Sequence, residues 1–321
     1  MRFAIIGTNF ISDWFALSAQ RVRGAELSAV YSRKFDTGRA FADKYGIESV
    51  YTDLEEMLLS DNIDAVYVAS PTFLHKDHSI AALKHGKSVL CEKMIAVDLS
   101  EFEQMLEAKT QHGGALIEAM RPDFDPAFEV VRQNLSAIGK IRRASFEFCQ
   151  YSSRYDAFLG GEVKNAFDPS MKNSALADIG IYPLHVCISL FGEPKSVYSH
   201  SVFLHNGFEG CGSILLGYED MTATVTYSKI SASVNPSIIE GELGSITVDK
   251  INAPSRIILA LRGKEPVELP FESREHNMEY EIEEFIKIAE GKADGSPLLS
   301  VSHNTMKVVD KVYACSGIKF D

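Results

Sequence analysis

A few residues in this sequence have the types and spacing that chemistry needs. Glu92-Lys93 ends the apolar run Ser88-Val89-Leu90-Cys91 and is followed by further apolar residues. Lysine is ordinarily a surface residue, but at the tip of a buried strand its natural place is the edge of a cleft, where an amine can carry a proton. Asp178 and Tyr182 stand four residues apart. On a helix they share one face and can address one ligand, the carboxylate as acceptor and the phenol as proton relay. The same positions also suit a helix cap and a core aromatic. His185, three residues after Tyr182, reads as a packed or supporting histidine.

Gly7-Thr8-Asn9-Phe10-Ile11-Ser12 follows the first apolar run. Gly7 can make a tight turn, and the start of the next helix offers N–H groups and a positive dipole to a pyrophosphate. Asn9 stands where a dinucleotide fingerprint has its second glycine, and asparagine tolerates left-handed backbone. Ser12 is small enough for close helix–strand packing. An ordinary strand–turn–helix is the competing reading. The second strand runs Val30-Tyr31-Ser32-Arg33-Lys34 with no acid at its end. An acidic residue there would bind a ribose 2′-hydroxyl, whereas a hydroxyl followed by two cations suits a 2′-phosphate. The expectation is NADP(H) over NAD(H), with a solvated basic turn as the alternative. Ser70-Pro71-Thr72 and His75 end the fourth strand, where a loop should line the cofactor cleft; His75 also reads as a plain helix-start histidine.

The elements that must hold these residues alternate over the first 120 positions. Apolar runs at 2–6, 26–31, 64–69, 88–92 and 115–119 predict buried strands, and helical periodicity covers 10–22, 37–45, 54–59, 75–85 and 99–111. Asp53 with Glu56 makes a capping box, and Gly24, Gly46 and Gly86 fall at helix ends. The alternation predicts a doubly wound parallel sheet. Beyond 120 the rhythm changes: helices at 124–134 and 177–191, then strands at 142–151, 197–203, 212–217, 222–228, 237–239, 245–248 and 256–261. Helices at 278–290 and 301–316 close the chain. The expected architecture is α/β: a Rossmann-type domain over 1–120, then an α+β domain over 121–321 with a large, mainly antiparallel sheet. One face of that sheet needs cover by helices, which leaves the other for a homodimer or larger assembly.

Net charge of −12 opposes binding to nucleic acid. The five cysteines are scattered without a C-x-x-C pair, which points to reduced thiols and away from a zinc site. No apolar stretch is long enough for a membrane span, and the first residues lack the pattern of a secretory signal. The expected compartment is the cytoplasm.

Taken together, the turn at Gly7, the Ser70–His75 loop, Glu92-Lys93, Glu118-Ala119-Met120-Arg121 and Asp178-Ile179-Gly180-Ile181-Tyr182 resemble the glucose–fructose oxidoreductase / inositol dehydrogenase (Gfo/Idh/MocA) family over nearly the full length. The likeness is greatest to its dihydrodiol dehydrogenase and NADP-xylose dehydrogenase branch. The resemblance implies that Lys93 is the catalytic residue, that Asp178 and Tyr182 face the substrate, and that Gly7, Thr8, Asn9, Phe10, Ile11, Ser32, Arg33, Lys34, Ser70, Pro71, Thr72, His75, Glu92, Lys93 and Arg121 hold the cofactor. It implies hydride exchange between NADP(H) and a sugar, polyol or small cyclic diol, with no metal. Beside an oxidised nicotinamide the Lys93 amine would become less basic and better suited to acid–base work. Met94 replaces the family's common proline, and Asn173-Ser174-Ala175 replaces a glycine-rich approach to Asp178. Two other readings of the same fold are a cofactor-sensing regulatory protein and a redox-neutral glycosidase with retained NAD.

Overall fold

The computed structural model describes residues 1–320. The chain forms two compact units, one of Met1–Arg121 with Arg274–Ser300 and the other of Pro122–Ser273 with the chain from Val301 onward. A single cut after residue 120 therefore does not describe it, because a late segment returns to the first unit.

The first unit is built from β1 (Arg2–Ile6), α1 (Phe10–Ala19), β2 (Glu26–Tyr31), α2 (Phe35–Tyr45), β3 (Ser49–Tyr51), α3 (Leu54–Leu58), β4 (Ala65–Val68), α4 (His75–Lys84), β5 (Ser88–Glu92), α5 (Leu99–His112) and β6 (Leu116–Ala119). The strand order is β3-β2-β1-β4-β5-β6, with every pair parallel. This is the doubly wound order with a switch point between β1 and β4. β4, β5 and β6 are buried throughout, which is why they read as mainly apolar runs. β3 escapes a sequence reading because three residues are too few to show a period. Asp53 caps α3 by accepting from the Glu56 N–H at 3.0 Å, and Asp98 caps α5 by accepting from Glu101 at 2.8 Å.

The returning segment is the helix Met278–Ala289, numbered α9 below, which packs on α1. The Phe285 ring lies 5.8 Å from Phe3 and Phe3 lies 5.5 Å from Phe15, which stacks on Tyr67 at 3.8 Å. These four aromatics make a continuous layer over the sheet, and burial of α9's apolar stripe draws it back.

The second unit contains α6 (Pro126–Asn134), β7 (Ile141–Cys149), α7 (Tyr155–Leu159), a π-helical turn (Leu176–Gly180) leading directly into α8 (Ile181–Phe191), then β8 (Ser196–Phe203), β9 (Glu209–Gly217), β10 (Thr222–Ser228), β11 (Ser237–Gly241), β12 (Gly244–Val248), β13 (Ile257–Leu261) and β14 (Val267–Glu268). α10 (Ser296–Ser316) closes the chain. The eight strands run β14-β13-β12-β11-β7-β10-β9-β8. β7 and β10 pair in parallel, and the other pairs are antiparallel. α8 is buried from Ile181 to Ile188 and packs on β7 and β10. Outward-pointing residues align in register as Tyr198, Leu215, Thr224, Ser145 and Ile238.

Candidate functional site

The turn after β1 is shaped around Gly7. Its φ is +106°, and a Cβ there would lie 2.7 Å from the Ala69 carbonyl oxygen, so only glycine lets β1 approach the end of β4 this closely. Asn9 corrects the sequence reading. Its backbone is extended at φ −89°, not left-handed, and its side chain caps α1 by accepting from Ile11 and Ser12. The Asn9 amide also donates to the Ala69 carbonyl at 2.8 Å, tying the turn to β4. A capping tether thus replaces the second glycine. The N–H groups of Thr8 and Asn9 have no hydrogen-bond partner among the described residues. A glycine cradle with open N–H groups beside a helix start fits a pyrophosphate. Ser12 is fully buried against the sheet, as its small size suggested.

At the end of β2, Ser32 is buried and its hydroxyl accepts from the Lys34 N–H at 3.4 Å. Arg33 and Lys34 are exposed and have no carboxylate partner among the described residues, an arrangement open to an incoming anion.

Lys93 is the one residue between Ser88 and Val97 that is not buried. Its backbone N–H donates to Glu92 Oε2 at 3.2 Å, and its peptide bond to Met94 is cis. The Glu92 carboxylate is itself buried and accepts from the Tyr67 hydroxyl at 2.5 Å. Burial raises its pKa, against the hydrogen bond from Tyr67 and the nearby Lys93 and Arg121 charges. Arg121 donates to Asn277 Oδ1 at 3.5 Å. His75, expected to line the cleft, is instead buried beneath it. One ring nitrogen meets the Met94 carbonyl at 2.9 Å and the other the Ser70 carbonyl at 2.8 Å. It braces the loop carrying Ser70, Pro71 and Thr72 against the chain just after Lys93. Burial pulls its pKa down to about 4, against the two carbonyl acceptors; a neutral ring carries one N–H and donates to one of the two carbonyls at a time.

In the second unit, Asp178 lies on the π-helical turn and Tyr182 in the first turn of α8. The regular helical spacing expected between them is thus widened. Asp178 Oδ2 lies 2.7 Å from Lys229 Nζ. The Tyr182 ring is buried and meets Phe148 edge-on at 5.9 Å. His185 is a supporting histidine: fully buried, with Nε2 2.7 Å from Asp123 Oδ2 and Nδ1 3.3 Å from the Thr305 hydroxyl.

Residues 1–120 match the profile of an oxidoreductase family with an NAD-binding Rossmann fold, and residues 130–247 match the GFO/IDH/MocA C-terminal domain. The chain belongs to the Gfo/Idh/MocA oxidoreductase family. A scyllo-inositol 2-dehydrogenase (NADP(+)), IolU of Bacillus subtilis, is 40% identical across 100% of this chain and 98% of its own length. A trans-1,2-dihydrobenzene-1,2-diol dehydrogenase of Mus musculus is 27% identical over 83% of this chain and 79% of its own. Among solved structures, the 3-ketoreductase KijD10 of Actinomadura kijaniata with NADP and TDP-benzene superposes with a TM-score of 0.88, at 22% identity over 98% of both chains.

Within this Gfo/Idh/MocA member, sequence reasoning did not find three polar residues that surround the candidate positions: Tyr67, Lys229 and Glu281. Tyr67 lies inside a wholly apolar-looking strand. Lys229 follows β10 and is buried. Glu281 sits among partly exposed acids on α9 yet points inward, where neither carboxyl oxygen has a hydrogen-bond partner among the described residues. Burial and the nearby Glu92 raise its pKa well above the ordinary value, against the opposing pull of Arg121.

Proposed function

We propose that this oxidoreductase interconverts a hydroxyl and a carbonyl on a neutral polyol, sugar or small cyclic diol, using NADP(H) in preference to NAD(H). The observation carrying this reading is Lys93: an amine at the C-terminal tip of a parallel strand, the one opening in an otherwise buried run. The B. subtilis relative, an NADP-dependent inositol dehydrogenase by name, supports the cofactor and the substrate class.

The bound cofactor supplies the hydride donor or acceptor. The Gly7 turn, with Thr8, Asn9, Phe10 and Ile11, would hold its pyrophosphate, and Ser32, Arg33 and Lys34 its 2′-phosphate. Ser70, Pro71, Thr72, Glu92, Lys93 and Arg121 would complete the binding surface, with His75 fixing the loop from below. Lys93 Nζ takes the hydroxyl proton in oxidation and returns it in reduction. The Tyr182 hydroxyl orients that proton, and the Asp178 carboxylate accepts from a neighbouring hydroxyl. The outward row at Tyr198, Leu215 and Ile238 supports a homodimer through the open sheet face, and five free thiols support a cytoplasmic setting.

Lys93→Met tests the assignment. The variant is expected to retain NADPH binding in a fluorescence titration, weakened at most by the loss of one contact, while turnover of an inositol falls about 10²–10⁴-fold, the usual cost of losing general acid–base catalysis. Near-normal turnover would remove Lys93 from the reaction.

A further inference from the structure

Lys229 is only 3% exposed, and lysine is almost never buried unless its charge is paired. Its ammonium has such partners. Nζ lies 2.7 Å from Asp178 Oδ2, donates to the Ala166 carbonyl at 2.8 Å, and sits over the Phe167 and Phe208 rings at 5.0 and 5.2 Å. Both rings are fully buried in one aromatic cluster with Phe158. The backbone is held at both ends too: the Lys229 N–H donates to Gly210, and its carbonyl accepts from Ser152. Asp178, by contrast, has 38% of its side-chain surface open. The pair therefore has a fixed end inside the protein and a presented end at its surface.

Local packing brings the two together. Gly180 lets the π-helical turn settle onto β10, because a Cβ there would lie 2.6 Å from Tyr227 Cγ. The turn is further pinned by Leu176 N–H donating to Glu209 Oε2 at 2.9 Å and Ala177 N–H donating to Ser174 Oγ at 3.0 Å.

We infer that Lys229 is a positioning residue: its aromatic-clamped ammonium holds Asp178 as a fixed, ionised, acceptor-only group that selects a substrate hydroxyl. It does not touch substrate itself. The inference rests on the reading of Asp178 as substrate-facing. It adds that Lys229 keeps the carboxylate aimed. An acceptor-only group favours hydroxyl donors and disfavours anionic substrates such as sugar acids.

The test is a double-mutant cycle with Asp178→Asn, Lys229→Met and both together, read as kcat/KM for a neutral inositol, its pH profile, and NADPH affinity. Lys229→Met is expected to lower kcat/KM on the order of 10²-fold, the scale of a misplaced contact. It should also move the acidic limb of the profile upward and leave NADPH affinity unchanged. In the Asp178→Asn background the same substitution should cost almost nothing further. Lys229→Arg, which keeps the charge, should recover part of the loss; if Lys229→Met does not fold, Lys229→Gln takes its place in the cycle. Full additivity of the two losses, or an unmoved acidic limb, would overturn the positioning role. Unaltered kinetics in Asp178→Asn alone would instead remove Asp178 from the substrate, which is a failure of the functional reading and not of the pair.

Discussion

Replacement of Glu281 by methionine should stabilise the first unit, and increasingly so as pH rises. The carboxyl is fully buried and both oxygens lack hydrogen-bond partners among the described residues; an unsatisfied buried polar group costs about 1–3 kcal/mol. Its pKa is raised above 4.5 by burial first and by Glu92 second, with Arg121 opposing. The sign follows from linkage. Below the unfolded pKa the group is protonated in both states and titration adds nothing. Above it the unfolded chain releases a proton that the folded chain keeps, so stability falls with pH until the folded pKa is reached, at about 1.4 kcal/mol per pH unit. Methionine fills similar space without either cost.

Trp14 makes the measurement local. It is the only tryptophan and lies on α1, which packs against α9. Urea titrations followed by its fluorescence therefore report on the unit that contains Glu281. The variant is expected to exceed the parent by about 1–3 kcal/mol near pH 4.5, with the gap widening by about 1 kcal/mol over the next pH unit. A gap independent of pH would show that Glu281 ionises freely in the folded state, and a less stable variant would show a polar partner supporting it. Either result refutes the reasoning.

Two further expectations concern surfaces. Arg33→Ala combined with Lys34→Ala should weaken NADPH about 10-fold or more, from loss of charge-assisted hydrogen bonds, while leaving NADH unchanged in parallel fluorescence titrations; equal loss for both cofactors would dissociate these cations from the 2′-phosphate. Leu215→Lys places a charge at the centre of the outward row, where Leu215 is 45% exposed, and should convert a dimer into a monomer by light scattering with the fold intact by circular dichroism. An unchanged dimer would put the interface elsewhere.

What could be read from the sequence divides along a physical line. A parallel sheet buried on both faces writes itself as apolar runs, and its strand tips fall where the runs stop, so Gly7, Ser32, Ser70 and Lys93 could be placed before any coordinates. β2 and β5 have the predicted bounds because both their flanks change character abruptly. Residues whose roles depend on distant partners left no such trace. Lys229 looks like any lysine after a strand until folding sets it against Asp178, 51 positions earlier. Glu281 has acids on either side, and only the packing of Phe285 on Phe3 decides that it faces inward. The return of α9 to the first unit was hidden for the same reason, since an amphipathic helix announces that it will bury a face but not against what. His75 shows the converse: its position at a strand-end loop suggested contact with a ligand, whereas two carbonyls within reach of its ring make it a strut. Local pattern therefore locates the strand tips proposed to meet ligand, and long-range packing supplies the buried charges and braces around them.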